Sequence, residues 1–159
     1  MMILLPSRAP FVPTRPEVLE EIMSIIGTLP IRSVLYDLGC GDARMLVEMA
    51  KRNPDASFVG IEFQFVPYIL ARYRARGTNI KIKRGMFEKY DIRDATHVYA
   101  YLYPHVMDQL LPKFERELKE GTTVYSLDFK ISKRTDGKTI PLTSHDPQKL
   151  GTELHVYLF

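Results

Sequence analysis

The chain has 159 residues, 45% of them apolar and 26% charged, with a formal net charge of +3. That is one domain's length with enough apolar residues to fill a core, and no run approaches the roughly 18 uncharged apolar residues needed to span a bilayer. Cys40 is the only cysteine, which excludes an internal disulfide and a thiolate cluster for a metal, so no metal site is expected. The opening apolar stretch, residues 1–6, is too short for a signal peptide and lacks a positive leader, so a cytoplasmic protein with no membrane partner is the expectation.

The elements alternate along the chain. Residues 1–16 form an irregular, proline-rich lead, and a helix is predicted from near Thr14, where Thr14 and Glu17 have capping-box spacing. Val18, Leu19, Ile22, Met23 and Ile26 make its apolar stripe. A first strand is predicted over 33–38. The next helix presents Ala43, Leu46, Val47 and Ala50 at i, i+3, i+4 and i+7, with Asp42 as its N-cap. A second strand ends at Glu62, and a third helix carries Val66, Ile69, Leu70 and Tyr73 on one face. A short strand follows over 80–83 and a fourth strand over 97–103, stopped by Pro104. A helix with Val106, Leu110, Phe114 and Leu118 leads to Gly121, and a fifth strand is predicted over 123–129. After a polar loop, residues 130–138, two apolar runs over 139–143 and 153–159 form a closing pair. No internal repeat, low-complexity tract or linker divides residues 1–159, so the reading is one doubly wound, Rossmann-like α/β/α domain with a seven-stranded sheet.

Residues 34–44 read Val-Leu-Tyr-Asp-Leu-Gly-Cys-Gly-Asp-Ala-Arg, an apolar run that ends in an acid and breaks into closely spaced glycines before a helix. A chain leaving a parallel strand must turn sharply and let a ligand approach its backbone, which suits Gly39 and Gly41. The pattern does not continue as G-x-G-x-x-G, and Asp42 is ill placed for a pyrophosphate at a helix N-terminus. Asp37 likewise suits a cationic group. Glu62 lies 21 positions after Gly41 (62 − 41) at the end of the next apolar run, where an acid can accept hydrogen bonds from ribose hydroxyls. The implied cofactor bears an adenosine and a positive charge.

On these residues, Asp37, Gly39, Gly41 and Glu62, the chain resembles class I S-adenosylmethionine-dependent methyltransferases, with Ala43 at the place of the usual third glycine. The resemblance implies a sheet order of 3-2-1-4-5-7-6 with the seventh strand antiparallel, and S-adenosylmethionine as methyl donor with S-adenosylhomocysteine as product. Residues 101–104 read Tyr-Leu-Tyr-Pro, unlike the Asn-Pro-Pro-aromatic turn of enzymes acting on nucleic acid bases. With residues 10–14, Pro-Phe-Val-Pro-Thr, and the compact length, the chain is similar to small protein-lysine methyltransferases, a group that includes archaeal enzymes and those that methylate the ATP synthase c-subunit. The resemblance places Thr14 near the cofactor's methionine carboxylate, Asp37 and the turn Gly39, Cys40 and Gly41 at its amine and sulfonium, Glu62 at the ribose, and Met86 and Phe87 at the adenine, with Phe63 also among the cofactor-binding residues. Plain readings stand beside these: Thr14 as helix cap, Cys40 as a small packed side chain, Met86 as core filler.

Tyr101 and Tyr103 are expected on one side of the fourth strand by alternation, lining the methyl-transfer site or packing as buried aromatics. Asp128, near the end of strand five, either attracts a lysine ammonium or satisfies a turn. His105 is either a base or a surface residue at a helix start. Arg72, Arg74, Arg76, Lys81, Lys83 and Arg84 fall within 13 residues, as a solvated face or as a surface for an acidic partner or nucleic acid. The expected partner is a protein presenting lysine; RNA or a small molecule as acceptor, or a non-catalytic binding module, are the alternatives.

Overall fold

A computed structural model describes residues 12–144, 146 and 148–159. Seven strands form one sheet in the order β3-β2-β1-β4-β5-β7-β6. The strands are β1 (Val34–Leu38), β2 (Ser57–Glu62), β3 (Ile80–Arg84), β4 (His97–Ala100), β5 (Thr123–Leu127), β6 (Lys138–Pro141) and β7 (Glu153–Leu158). The pairs among β1 to β5 are parallel, and β7 runs antiparallel to both β5 and β6. This is the expected order and the expected strand reversal.

Four helices, α1 (Pro16–Ile26), α2 (Arg44–Arg52), α3 (Phe65–Arg74) and α4 (Pro104–Glu117), cover the sheet. Strand alternation divides the apolar residues between two layers. Leu35, Phe58, Ile80, Tyr99 and Leu127 pack with Ile22 and Met23 of α1, Leu46 and Met49 of α2 and Ala71 of α3. Tyr36, Leu38, Val59, Ile61 and Val98 pack with Met107, Leu110 and Phe114 of α4. Such burial on both faces explains why β1 and β2 read as apolar runs rather than as alternating strands. Gly60 lets α2 come this close: a Cβ there would stand 2.7 Å from Cys40 Sγ and 2.8 Å from Leu46 Cδ1. Gly60→Ala is therefore expected to cost about 1–3 kcal/mol, and thermal denaturation should show a midpoint several degrees lower.

Several local expectations are corrected. Arg15, not Thr14, occupies the N-cap of α1, and Pro16 opens the helix with its fixed φ and missing N–H, so no capping box forms. Ala43, not Asp42, is the N-cap of α2, in the left-handed conformation at φ 61°. Alanine thus adopts the backbone shape a glycine would have held, at roughly 1 kcal/mol of strain. Asp42 is engaged instead with Arg44 at 2.7 Å and Arg74 at 3.2 Å. β4 ends at Ala100, so Tyr101 and Tyr103 lie in the loop before α4, where strand alternation no longer applies. Tyr101 packs toward the α1 to α3 layer and Tyr103 toward the α4 layer.

The largest difference concerns α3. Its predicted apolar face points outward: Val66, Ile69, Leu70 and Tyr73 are between 44% and 66% exposed, while Pro67 and Ala71 are the buried residues. Small side chains on the line i, i+4 bring the helix close to the sheet, and the larger ones have no place there.

Candidate active site

The carboxyl ends of β1, β2 and β4, with the segments after β3 and β5, converge on one cleft, where open α/β sheets bind ligands. Asp37, Gly39, Cys40 and Gly41 line its floor, and Glu62 and Phe63 one wall. Phe87 and the neighbouring Glu88 contribute from the segment after β3, and Tyr101, Leu102, Tyr103 and His105 from the segment after β4. Val12, Pro13 and Thr14 of the lead and Phe129 after β5 close the far side. Pro10 and Phe11 lie outside the described residues.

The turn after β1 is built for close approach. Gly39 and Gly41 take φ of 83° and 56°, and the Gly39 and Cys40 N–H groups donate to the Ile61 carbonyl at 2.8 and 3.1 Å. Glu62 braces this turn from β2: Oε2 accepts the Gly41 N–H at 2.9 Å and Oε1 the Gln64 N–H at 2.7 Å. A carboxylate offers about four acceptor positions, so Glu62 retains lone pairs for hydroxyl donors in the cleft. Burial raises its pKa against the opposing effect of those backbone bonds.

Asp37 is different. It is 3% exposed, and no described residue donates a hydrogen bond to it. Burial, then Glu62 and Asp42, push its pKa well above the ordinary value. The Tyr99 hydroxyl, also buried, makes no hydrogen bond of ordinary geometry, although Asp37 and Thr14 are its neighbours. A buried carboxylate and a buried hydroxyl without partners, side by side at the floor of a cleft, fit a ligand that brings positive charge and N–H donors. The charge of Asp42, by contrast, is answered by Arg44 and Arg74, which lower its pKa against the effect of burial. The Cys40 thiol is pushed up by burial and by Asp37 and Glu62, so it stays protonated.

Part of the cleft lining is aromatic. Phe129 stacks on Tyr101 at 6.3 Å between centroids and meets Tyr103 edge-on at 6.2 Å, and Tyr103 stacks on His105 at 6.0 Å. Burial and the negative charge of the nearby Asp128 carboxylate raise the Tyr101 pKa, so its hydroxyl keeps its proton at neutral pH.

Two predicted site residues do not face this cleft. Asp128 turns its carboxylate to the Gly151 and Thr152 N–H groups, each at 2.7 Å, and to the Thr152 hydroxyl at 3.2 Å. With φ at 63° it ends β5 and ties it to the start of β7. Met86 precedes the short 3-10 turn Phe87–Lys89, which directs Phe87 rather than Met86 into the cleft. The sequence reading missed Tyr99 and Phe129. Alternation back from Tyr101 would have flagged Tyr99; nothing local marks Phe129, which meets the tyrosines only in the folded chain.

Comparison with known proteins agrees with this geometry. The model of the ANTKMT methyltransferase domain matches residues 37–137. A protein-lysine N-methyltransferase of Saccharolobus islandicus is 36% identical over 126 residues, covering 77% of this chain and 78% of that one. The human lysine N-methyltransferase named for the ATP synthase c-subunit is 28% identical over 126 residues, covering 76% of this chain; the chain spans about half its length, 52%. The crystal structure of an RNA methyltransferase from Salinibacter ruber in complex with S-adenosyl-L-homocysteine superposes with a TM-score of 0.78 at 28% identity, over 92% of this chain and 93% of that one. The chain belongs to the family of the ANTKMT methyltransferase domain and is an S-adenosylmethionine-dependent methyltransferase.

Proposed function

We propose that the methyl acceptor is the side-chain amine of a lysine in a protein substrate. The observation that carries this reading is the aromatic wall of Tyr101, Tyr103 and Phe129, which lines the same cleft as Asp37. A lysine side chain is a long apolar stem with a terminal cation, and ring faces around a desolvated channel attract such a group. The Saccharolobus relative, named a protein-lysine N-methyltransferase, supports the same class of acceptor.

The cofactor's cationic methionine end is assigned to Asp37 and the turn Gly39, Cys40 and Gly41, its carboxylate to Thr14, its ribose to Glu62, and its adenine to the apolar surfaces of Phe63 and Phe87. S-adenosylmethionine, when bound, supplies a methyl group made electrophilic by a positive sulfur. The chain's own residues position the acceptor and set its protonation. A lysine amine has an ordinary pKa of about 10.4 and arrives protonated, a form the ring faces favour. The positive charge of a bound cofactor opposes that form, so the proton passes to solvent at the mouth of the cleft before the displacement. The protonated Tyr101 hydroxyl is not the base; its oxygen accepts an N–H from the incoming nitrogen and points the remaining lone pair along the cleft. Holding nitrogen and methyl carbon in line supplies most of the rate enhancement in a direct displacement.

A second reading, an RNA acceptor, draws on the Salinibacter structure. Incubation with tritiated S-adenosylmethionine and heat-inactivated lysate, followed by hydrolysis, separates the two. Label is expected in methyl-lysine, abolished by protease and indifferent to nuclease; label in nucleosides would overturn the proposal.

A further inference from the structure

We infer that the outward face of α3 is a docking surface for an anionic lipid bilayer. Phe65, Val66, Ile69, Leu70 and Tyr73 are each more than 40% exposed and stand together on one side of this ten-residue helix. An apolar strip of this kind on a protein surface marks an interaction site. Its margins are basic. The Arg84 guanidinium lies 5.0 Å from the Phe65 ring and that of Arg76 5.1 Å from the Tyr73 ring, and Arg72 donates to the Tyr68 hydroxyl at 3.2 Å. Between Glu62 and Glu88 the sequence holds six lysines and arginines and no acid. An apolar face with a cationic rim is the composition of a helix lying in the headgroup region of anionic lipid. No described helix is long and apolar enough to cross a membrane, so contact would be peripheral.

Charge and size disfavour other occupants. A second copy would set one basic rim against another, and a helix about 15 Å long offers only a fraction of the roughly 800 Å² per partner in a stable interface. Single-stranded nucleic acid stacks its bases on exposed ring faces, but here guanidinium groups cover Phe65 and Tyr73, and Val66, Ile69 and Leu70 have no ring to offer.

The test is co-sedimentation of the full chain with vesicles of phosphatidylcholine alone and with phosphatidylglycerol added. Binding is expected only to the second and should weaken as salt rises. Arg72→Ala and Arg76→Ala should each reduce partitioning roughly fivefold, and the double variant Ile69→Ser with Leu70→Ser should abolish it, with cofactor affinity unchanged as the check on folding. Equal binding to both vesicles, no binding to either, or undiminished binding by these variants would overturn the inference. So would a dimer of the unaltered chain that the serine variant splits into monomers, or α3-dependent binding of an RNA oligonucleotide in preference to vesicles.

Discussion

Asp37→Asn protein is expected to melt at a higher temperature than the unaltered chain when no cofactor is added, and to bind S-adenosylhomocysteine roughly ten- to a hundredfold more weakly. Both effects come from one fact: Asp37 is buried, without a donor among the described residues, beside two other carboxylates. Its proton is held more tightly in the folded chain than in the unfolded one. Its contribution to stability is therefore present in acid and is lost as pH rises from the ordinary value of 3.8 through the raised folded value. The amide has no charge to desolvate, so the gap between the two melting temperatures should widen with pH over that window. Cationic groups of a bound cofactor favour the ionised carboxylate, so the affinity of the unaltered chain should rise across the same window while that of the asparagine variant stays flat. Calorimetric titration and thermal melts at several pH values check this; equal affinities for the two proteins would remove Asp37 from cofactor binding.

Phe129→Ala should lower kcat/KM for a lysine-bearing acceptor about tenfold to thirtyfold, on the basis of about 2 kcal/mol for a desolvated cation over a ring. Phe129 touches both Tyr101 and Tyr103, so its loss opens the aromatic wall at its centre. Its side chain carries no charge or hydrogen-bonding group, so S-adenosylhomocysteine affinity should change by no more than about twofold. Phe129→Leu separates two explanations, because leucine keeps apolar bulk without a ring face. Recovery of full activity in the leucine variant would mean that the cleft needs volume there and not a π surface.

The strands were legible because each of β1, β2, β4 and β5 is buried on both faces, and a continuous apolar run bounded by a turn has few other readings. The convergence of Asp37, the glycines and Glu62 on one cleft was legible for a related reason: they lie within one strand, turn, helix and strand unit, so local spacing carries the geometry. Two kinds of information were not local. Periodicity in α3 showed that Val66, Ile69, Leu70 and Tyr73 share a face; that Pro67 and Ala71 would take the sheet side depends on how closely the helix approaches. The aromatic lining of the cleft depends on segments after β4 and β5, so Phe129 had no sequence signal tying it to Tyr101. Asp128 shows the converse, an acid in the right strand position whose oxygens are claimed by the amides of Gly151 and Thr152.

The only thiol in the chain, in the turn after β1, packs against Gly60, buried and held protonated by that burial and by the acids around it. Thiol reagents act on exposed thiolate, so Cys40 becomes more reactive as the turn after β1 lifts off β2. Its modification rate is in effect a clock for those openings, one that a ligand bracing the turn would slow, and it needs no engineered label to be read.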